Sequence, residues 1–257
     1  MLEKVDLTKK ISKEEYKAKM PQMEIELGRL QRECRELKIP VMIVFEGFGA
    51  SGKGVQIGKL IQSMDPRGFQ VFPIKAETED ERMHPFLWRF WTKTPEAGRI
   101  AIFDGSWYRK VLIDRFEKRT REKEIETAFH SIEALEKQLT DGGTILVKLL
   151  LDIDQKEQKK RFEKLLEKKE TAWRVSQGDR ERNAKYSEYA AMMEEVLYRS
   201  DTKSAPWTVI EATDRRFATV KIYMTVIHAL AEAVEAVQRR RMEEQAIKAA
   251  EQVSGQQ

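Results

Sequence analysis

The stretch VMIVFEGFGASGKG, residues 41–54, carries the residue types that hold a phosphate group. Five apolar residues open it and predict a buried strand, and a glycine-rich turn follows at once. Gly47, Gly52 and Lys53 have the spacing G-x4-G-K, and Gly54 comes next. Glycines let the backbone wrap around an anion, helix-start N–H groups point at it, and the lysine adds a positive charge. We therefore predict a phosphate-binding P-loop of the Walker A type.

Gly54 stands where many P-loop proteins have a serine or threonine that holds magnesium. An ordinary ATPase or GTPase is therefore disfavoured. The alternative from the residues alone is a tight strand-to-helix turn that binds nothing. The buried strand before the glycines and the helical pattern after them favour the P-loop interpretation.

Two further groups of residues could act beside this turn. Asp104 follows the strand pattern at 99–103, so a carboxylate stands at the C-terminal end of a buried strand, where parallel sheets place their chemistry. Arg82 and Arg89 are seven residues apart, so they share one face if a single helix spans them. A solvated helix face is the alternative for the two arginines.

Residues 167–182 lack a clear period, are crowded with charge and carry Trp173 and Arg174. We interpret this segment as a mobile lid over the phosphate site. A plain surface loop is the alternative.

The elements that position these residues alternate between strands and helices. Strand patterns lie at residues 41–45, 69–74, 99–103, 144–151 and 207–210. Such alternation predicts a parallel sheet with helices on both faces, an α/β three-layer αβα sandwich of the P-loop NTPase type with a helical lid. We divide the chain into an N-terminal helical extension (1–40), a P-loop domain (41–240) and a polar tail (241–257).

The composition narrows the class of protein. The chain of 257 residues has a net charge of +4, and a mild basic excess fits a polyanionic ligand. Cys34 is the single cysteine, which excludes an internal disulfide and a cysteine-rich metal site. The N-terminal segment has no apolar signal core and no apolar run approaches membrane-spanning length, so we expect a cytoplasmic protein without a membrane or nucleic-acid partner.

On these motifs the chain resembles the polyphosphate kinase 2 family. The first family motif runs E-G-x-D-A-A-G-K-G, and residues 46–54 read EGFGASGKG. Four further stretches are similar to family motifs: residues 78–89 (T-E-x-E-R-x6-R), 104–108 (D-R-S-W-Y), 173–174 (W-[RK]) and 205–207 (A-P-W). The similarity extends over about residues 12–232.

The resemblance implies a P-loop phosphotransferase that moves a phosphoryl group between inorganic polyphosphate and a nucleotide (AMP, ADP or ATP) with Mg²⁺. The residue roles that go with it are catalysis by Lys53, Asp104 and Arg115, metal binding by Asp104, phosphate binding by Gly47, Gly52, Lys53, Gly54, Arg82 and Arg89, and lid roles for Trp173 and Arg174. Arg82, Arg89 and Arg115 would line a basic channel for polyphosphate. A homo-oligomer, or a partnership with an intact family member, is also expected.

Two family positions differ in this chain. The first-motif aspartate, which the family uses for magnesium and catalysis, is Gly49, and the arginine after Asp104 is Gly105. Such losses resemble the N-terminal half of tandem polyphosphate:AMP phosphotransferases, where a degenerate copy precedes an intact one. Two alternatives therefore stay open: a non-catalytic partner that binds polyphosphate or a nucleotide, and an ATP-dependent kinase for a small molecule.

Overall fold

The fold is built on one parallel sheet. The computed structural model describes residues 1–254, and the side chains of residues 249, 250 and 252–254 are not described. Within the described residues the strands are β1 (Val41–Gly47), β2 (Phe69–Pro73), β3 (Ile100–Asp104), β4 (Ile145–Asp152) and β5 (Trp207–Glu211). Their spatial order is β2-β3-β1-β4-β5, and every neighbouring pair is parallel. The predicted α/β fold with a parallel sheet is confirmed.

Helices connect the strands and cover both faces of the sheet. In residues 1–254 the α-helices are α1 (Lys13–Leu37), α2 (Lys53–Gln62), α3 (Glu79–Arg82), α4 (Trp88–Trp91), α5 (Ile113–Phe116), α6 (Glu122–Asp141), α7 (Gln155–Leu166), α8 (Lys169–Ala172), α9 (Gln177–Ala184), α10 (Tyr186–Ser200) and α11 (Arg215–Ser254). Helices α6 and α10 pack together on one face, and α1, α2 and α11 pack on the other. The connection from β1 to β2 and the connection from β3 to β4 cross the sheet in opposite directions. Because both crossovers are right-handed, α2 and α6 lie on opposite faces of the sheet.

The central strands are buried from end to end. All seven residues of β1 are buried, whereas the edge strand β2 is partly exposed. In the middle of β4, the fully buried Lys148 donates to Glu136 at 2.7 Å and to the carbonyl of Ser200 at 2.6 Å. The hydroxyl of Tyr108 donates to the same Glu136 carboxylate at 2.5 Å. In this buried network the Lys148 ammonium and the Glu136 carboxylate neutralise each other, and the Tyr108 hydroxyl has an acceptor. Tyr108 of the 104–108 motif therefore has a structural role in the core.

Two long helices join the N- and C-terminal parts of the described chain. Helix α1 begins at the N-cap Ser12, whose Oγ accepts from the Glu15 N–H, and runs unbroken through Pro21. It packs against α11, which continues as a helix through the predicted tail to Ser254, while residues 255–257 lie outside the described residues. By length and composition α11 could cross a membrane, but half of its most apolar window is buried inside the protein, as in a core helix.

Candidate functional site

The site lies at the carboxyl edge of the sheet, where β1, β3 and β4 end. Phe45 of β1 is in register with Asp104 at the end of β3, and Gly47 is in register with Leu151 of β4. The glycine-rich loop after β1 therefore leaves the sheet beside the Asp104 carboxylate. This is the edge at which parallel α/β sheets bind ligands.

The backbone of the loop needs glycine at two points. Gly47 has φ 141°, and a Cβ there would lie 2.3 Å from the carbonyl oxygen of Leu151, so no other residue fits. Gly52 has φ 108° and is the N-cap of α2. Between them Ala50 adopts φ 57°, an unusual conformation for a residue with a side chain. The loop is thus held in a specific, tightly turned shape.

Lys53 and the start of α2 make this loop attractive to anions. The Lys53 ammonium donates to the Gly47 carbonyl at 3.0 Å, so it arches back over the loop. A Cβ placed at Gly52 or at Gly54 would meet no atom within 4 Å, so there is open space in front of the helix start. The positive end of the α2 dipole faces that space. The geometry can therefore receive a phosphate group.

Two carboxyl groups stand beside the loop. Asp104 is half-buried, and Glu46, the last side chain before the glycines, is buried and accepts from Ser106 Oγ at 2.8 Å. Burial raises the pKa of the Glu46 carboxyl, and the nearby Lys53 charge and the Ser106 hydrogen bond oppose that rise. No group of three or more His, Cys, Asp or Glu side chains that could hold a metal occurs among the described residues. A metal here would have few protein ligands.

An acidic side chain from outside the loop fills the space beside Gly49. A Cβ on Gly49 would lie 2.9 Å from Oδ1 of Asp179, which belongs to α9, and 3.1 Å from the ring of Phe162. Asp179 Oδ1 also accepts from Arg182 at 2.8 Å. Burial alone would raise the pKa of Asp179, but the hydrogen bonds from Ser176 and Arg182 outweigh it and lower the pKa. A carboxylate therefore stands next to position 49.

The three predicted phosphate-channel arginines do not form one exposed set. Arg82 ends α3 and is exposed, while Arg89 lies in the separate helix α4, so the condition for a shared helix face, a single helix that spans both, is not met. A turn between the two helices contains Pro85, which has no N–H to continue α3. Arg89 is buried, donates to the Lys75 carbonyl at 3.1 Å and pairs with Glu81 at 3.2 Å.

Arg115 is also engaged by acidic partners. It lies in α5, donates to Glu195 at 2.6 Å and pairs with Glu122 at 3.6 Å. Its predicted catalytic role stays a prediction, because a ligand would have to compete with these carboxylates.

The segment predicted as a lid contains α8 and most of α9. Trp173 follows α8, and its side chain is 75% exposed. The Arg174 guanidinium lies 5.4 Å from the centre of the Trp173 ring. Ser176 and Asp179 form a capping box that starts α9. This local hydrogen bonding begins a helix in a segment that has no clear apolar period.

Sequence reasoning missed three residues that contact or adjoin the loop: Glu46, Gln158 and Arg161. Glu46 left a signal, because it is a charged residue that directly ends an apolar strand run. Gln158 and Arg161 are buried polar residues of α7, and they reach the loop from more than 100 positions further along the chain. In the sequence they read only as part of a basic helix.

A fourth carboxyl group at this edge gives a pH-dependent prediction. Asp152 ends β4 and is buried; burial first, then the charges of Asp154 and Glu211, raise its pKa to about 6. Because the folded-state pKa exceeds the unfolded value, this group favours the fold at low pH and loses that contribution as pH rises through 6. We expect Asp152→Asn to raise the free energy of unfolding by about 2–3 kcal/mol at pH 8 and by about half of that at pH 5.

Urea unfolding of the parent and of Asp152→Asn at the two pH values measures this difference. Asp141→Asn, which changes an exposed carboxylate, serves as the control and is expected to shift little. Equal effects of Asp152→Asn at both pH values would contradict the raised pKa.

Comparison with known proteins agrees with the geometry of the site. A family model described as polyphosphate kinase 2 matches residues 10–240. A polyphosphate:AMP phosphotransferase of Pseudomonas syringae pv. tomato is 36% identical over 233 residues, which cover 91% of this chain and 47% of the relative. An NDP-polyphosphate phosphotransferase 3 of Ruegeria pomeroyi is 30% identical over 84% of this chain and 72% of the relative. The chain thus spans about half the length of the first of these relatives.

A solved structure shares the whole architecture. Polyphosphate kinase 2 from Arthrobacter aurescens superposes with a TM-score of 0.84 at 29% identity, covering 90% of this chain and 85% of that one. This likeness confirms the predicted three-layer P-loop fold. The family model covers the sheet, the glycine-rich loop, Asp104 and both lid helices. The chain therefore belongs to the polyphosphate kinase 2 family.

Proposed function

We propose that this chain is a phosphotransferase that moves a phosphoryl group between inorganic polyphosphate and a nucleotide, AMP or ADP. The observation that carries the proposal is the glycine-rich loop with Lys53 arched over it and open space at the start of α2. Relatives named as polyphosphate:AMP and NDP-polyphosphate phosphotransferases support the choice of substrates. A loose phosphoryl-transfer transition state needs positioning and charge neutralisation, and both are available here.

The proposal gives the phosphate loop and the lid segment different roles. The loop N–H groups and the α2 N-terminus would bind the transferred group, and Lys53 would turn from the Gly47 carbonyl to follow its charge. Trp173 and Arg174, exposed on the lid segment, would close over the nucleotide and exclude water.

Mg²⁺ fits this site with Asp104 as its protein ligand. Magnesium in phosphoryl-transfer sites takes one or two carboxylates and completes its shell with phosphate oxygens and water, so the half-buried Asp104 suffices. When bound, the ion would neutralise charge on the phosphate oxygens. Glu46 would stay hydrogen-bonded to Ser106 and would support the start of the loop.

A second candidate function is binding without transfer. It is favoured by position 49, where a glycine replaces the family aspartate and Asp179 fills the space. Such a protein would bind polyphosphate or a nucleotide and serve an active copy of the family, while an ATP-dependent small-molecule kinase remains the third candidate.

The test is a donor and acceptor panel with the purified chain. Polyphosphate and ATP are compared as donors, and AMP and ADP as acceptors, with and without Mg²⁺. We expect Mg²⁺-dependent transfer of a phosphoryl group from polyphosphate to AMP or ADP. Binding of polyphosphate without any transfer would favour the second candidate, and transfer from ATP alone to a small molecule would favour the third.

Salt dependence tests the expected basic contacts with polyphosphate. If the chain releases counterions at about three arginine contacts, affinity for long polyphosphate should fall roughly 10- to 20-fold between about 50 and 200 mM KCl. Arg82 is exposed and free to contribute at once, so Arg82→Gln should lower the log–log slope by about 0.7. Fluorescence anisotropy of labelled polyphosphate measures both, and a flat salt response would contradict the basic-channel hypothesis.

We propose that the protein is cytoplasmic and that it forms a homo-oligomer or pairs with an intact family member. The proposal includes no nucleic-acid partner and no membrane partner. Size-exclusion chromatography with light scattering checks the oligomeric state.

A further inference from the structure

Three successive carbonyl groups of the phosphate loop are held by side chains of α7. Gln158 Nε2 donates to the Gly49 carbonyl at 3.0 Å. Arg161 Nη1 donates to the carbonyls of Ala50 at 3.1 Å and of Ser51 at 2.9 Å. The turn of the loop is therefore attached to a helix that follows β4, far away in sequence.

Arg161 uses its other donors equally fully. Its Nη2 donates to the carbonyls of Ala212 at 2.8 Å and Thr213 at 2.9 Å, in the turn after β5, and its Nε donates to Glu157 at 2.7 Å. The residue is 8% exposed, so these contacts are shielded from water. A planar guanidinium with donors in a fixed fork can bridge two backbone segments in this way, whereas a lysine ammonium cannot.

These bonds decide where the loop N–H groups point. In a peptide unit the C=O and the following N–H point in opposite directions. Bonding the Gly49 and Ser51 carbonyls to α7 therefore turns the N–H groups of Ala50 and Gly52 away from α7. Within residues 1–254 neither of these N–H groups has a protein acceptor, whereas the Ser51 N–H donates to the Phe48 carbonyl. Two unpaired N–H donors are thus presented outward before any ligand binds.

We propose that Arg161 is a positioning residue that holds the phosphate loop in its anion-binding conformation and couples it to the turn at 212–213. The proposal rests on the proposed function only in naming phosphate as the anion. Arg161 contacts the loop at the carbonyl groups of Ala50 and Ser51, and the proposal assigns it no contact with the anion. Its contribution is preorganisation, since a loop already in the binding conformation loses little entropy when the ligand arrives.

The experiment compares the full chain with Arg161→Lys, which keeps the positive charge and loses the fork. Lys160→Gln is the matched control, because Lys160 is the neighbouring residue, is exposed and pairs with the same Glu157 at 3.6 Å. Amide hydrogen exchange of residues 48–54 is measured without ligand, and tripolyphosphate affinity is measured by calorimetry.

For Arg161→Lys we expect about tenfold faster exchange at the hydrogen-bonded amides of Phe48 and Ser51 and about tenfold weaker tripolyphosphate binding, as for the loss of one or two hydrogen bonds. Exchange in the sheet should stay unchanged, and saturating tripolyphosphate should restore slow exchange in the loop, which a merely structural role would not predict. Lys160→Gln should match the parent.

Exchange and affinity of Arg161→Lys within twofold of the parent would overturn the proposal. If Arg161→Lys does not fold, Gln158→Met decides instead: faster exchange at the Ser51 amide, which donates to the Phe48 carbonyl, supports the positioning role of α7, and unchanged exchange contradicts it. A parent chain that binds no tripolyphosphate would contradict the proposed function, while the exchange measurement would still decide the role of Arg161.

Discussion

Lys53→Ala is expected to reduce phosphoryl transfer at least about 100-fold, because one donor aimed at developing charge is worth roughly 10²–10³ in rate. In the ligand-free structure the ammonium is 3.0 Å from the Gly47 carbonyl, so it already lies over the loop that would hold the phosphate. The alanine variant keeps the helix start and the glycines. The loss should therefore appear mainly in kcat, with a smaller effect on KM.

Lys156→Ala is the matched control for this prediction. Lys156 is an exposed lysine of α7, so its removal changes the net charge equally without touching the loop. Circular dichroism and thermal unfolding should show both variants folded. A rate within twofold of the parent for Lys53→Ala would remove Lys53 from the mechanism.

Gly49→Asp is expected to lower the Mg²⁺ concentration needed for half-maximal transfer, by about tenfold if the new carboxylate adds roughly 1.4 kcal/mol to metal binding. The backbone allows it, since Gly49 is not among the residues with positive φ. The space does not allow it freely, because the new Cβ would lie 2.9 Å from the Asp179 carboxylate. The new carboxylate would stand close to that of Asp179, and like charges repel, so α9 must shift.

The variant Gly49→Asp/Asp179→Asn separates the two effects. Removing the charge on Asp179 should relieve the repulsion and increase the gain over Gly49→Asp alone. Gly49→Asn adds nearly the same volume without a carboxylate, so it should show the steric loss only. If neither the single nor the double variant changes the Mg²⁺ requirement, position 49 is not a metal position in this chain.

The local structure of the glycine-rich loop, which follows directly from the sequence, was predicted correctly. The apolar run of β1, the glycines after it and the helix start at Lys53 are consecutive in the chain, so their arrangement is set by short-range backbone rules. Asp104 could be placed at the same edge because parallel strands align their carboxyl ends.

The contacts that support the loop could not be predicted, because they join residues far apart in sequence. Arg161 meets Ala50 and Ser51 only once α7 has packed beside the loop after β1 and the turn after β5. The neighbourhood of Gly49 and Asp179 depends in the same way on where α9 docks. The condition for a face shared by Arg82 and Arg89 is also not met, because the turn at Pro85 separates α3 from α4.

Phosphorus-31 NMR of the purified chain with polyphosphate, Mg²⁺ and AMP or ADP tests the central claim most directly, because it follows donor and acceptor in one sample. We predict that nucleotide β- or γ-phosphate signals grow as polyphosphate signals decline, and that both changes stop when Mg²⁺ is chelated or when Lys53→Ala replaces the parent. No transfer by the parent above the Lys53→Ala background, with either acceptor and at saturating Mg²⁺, would contradict it.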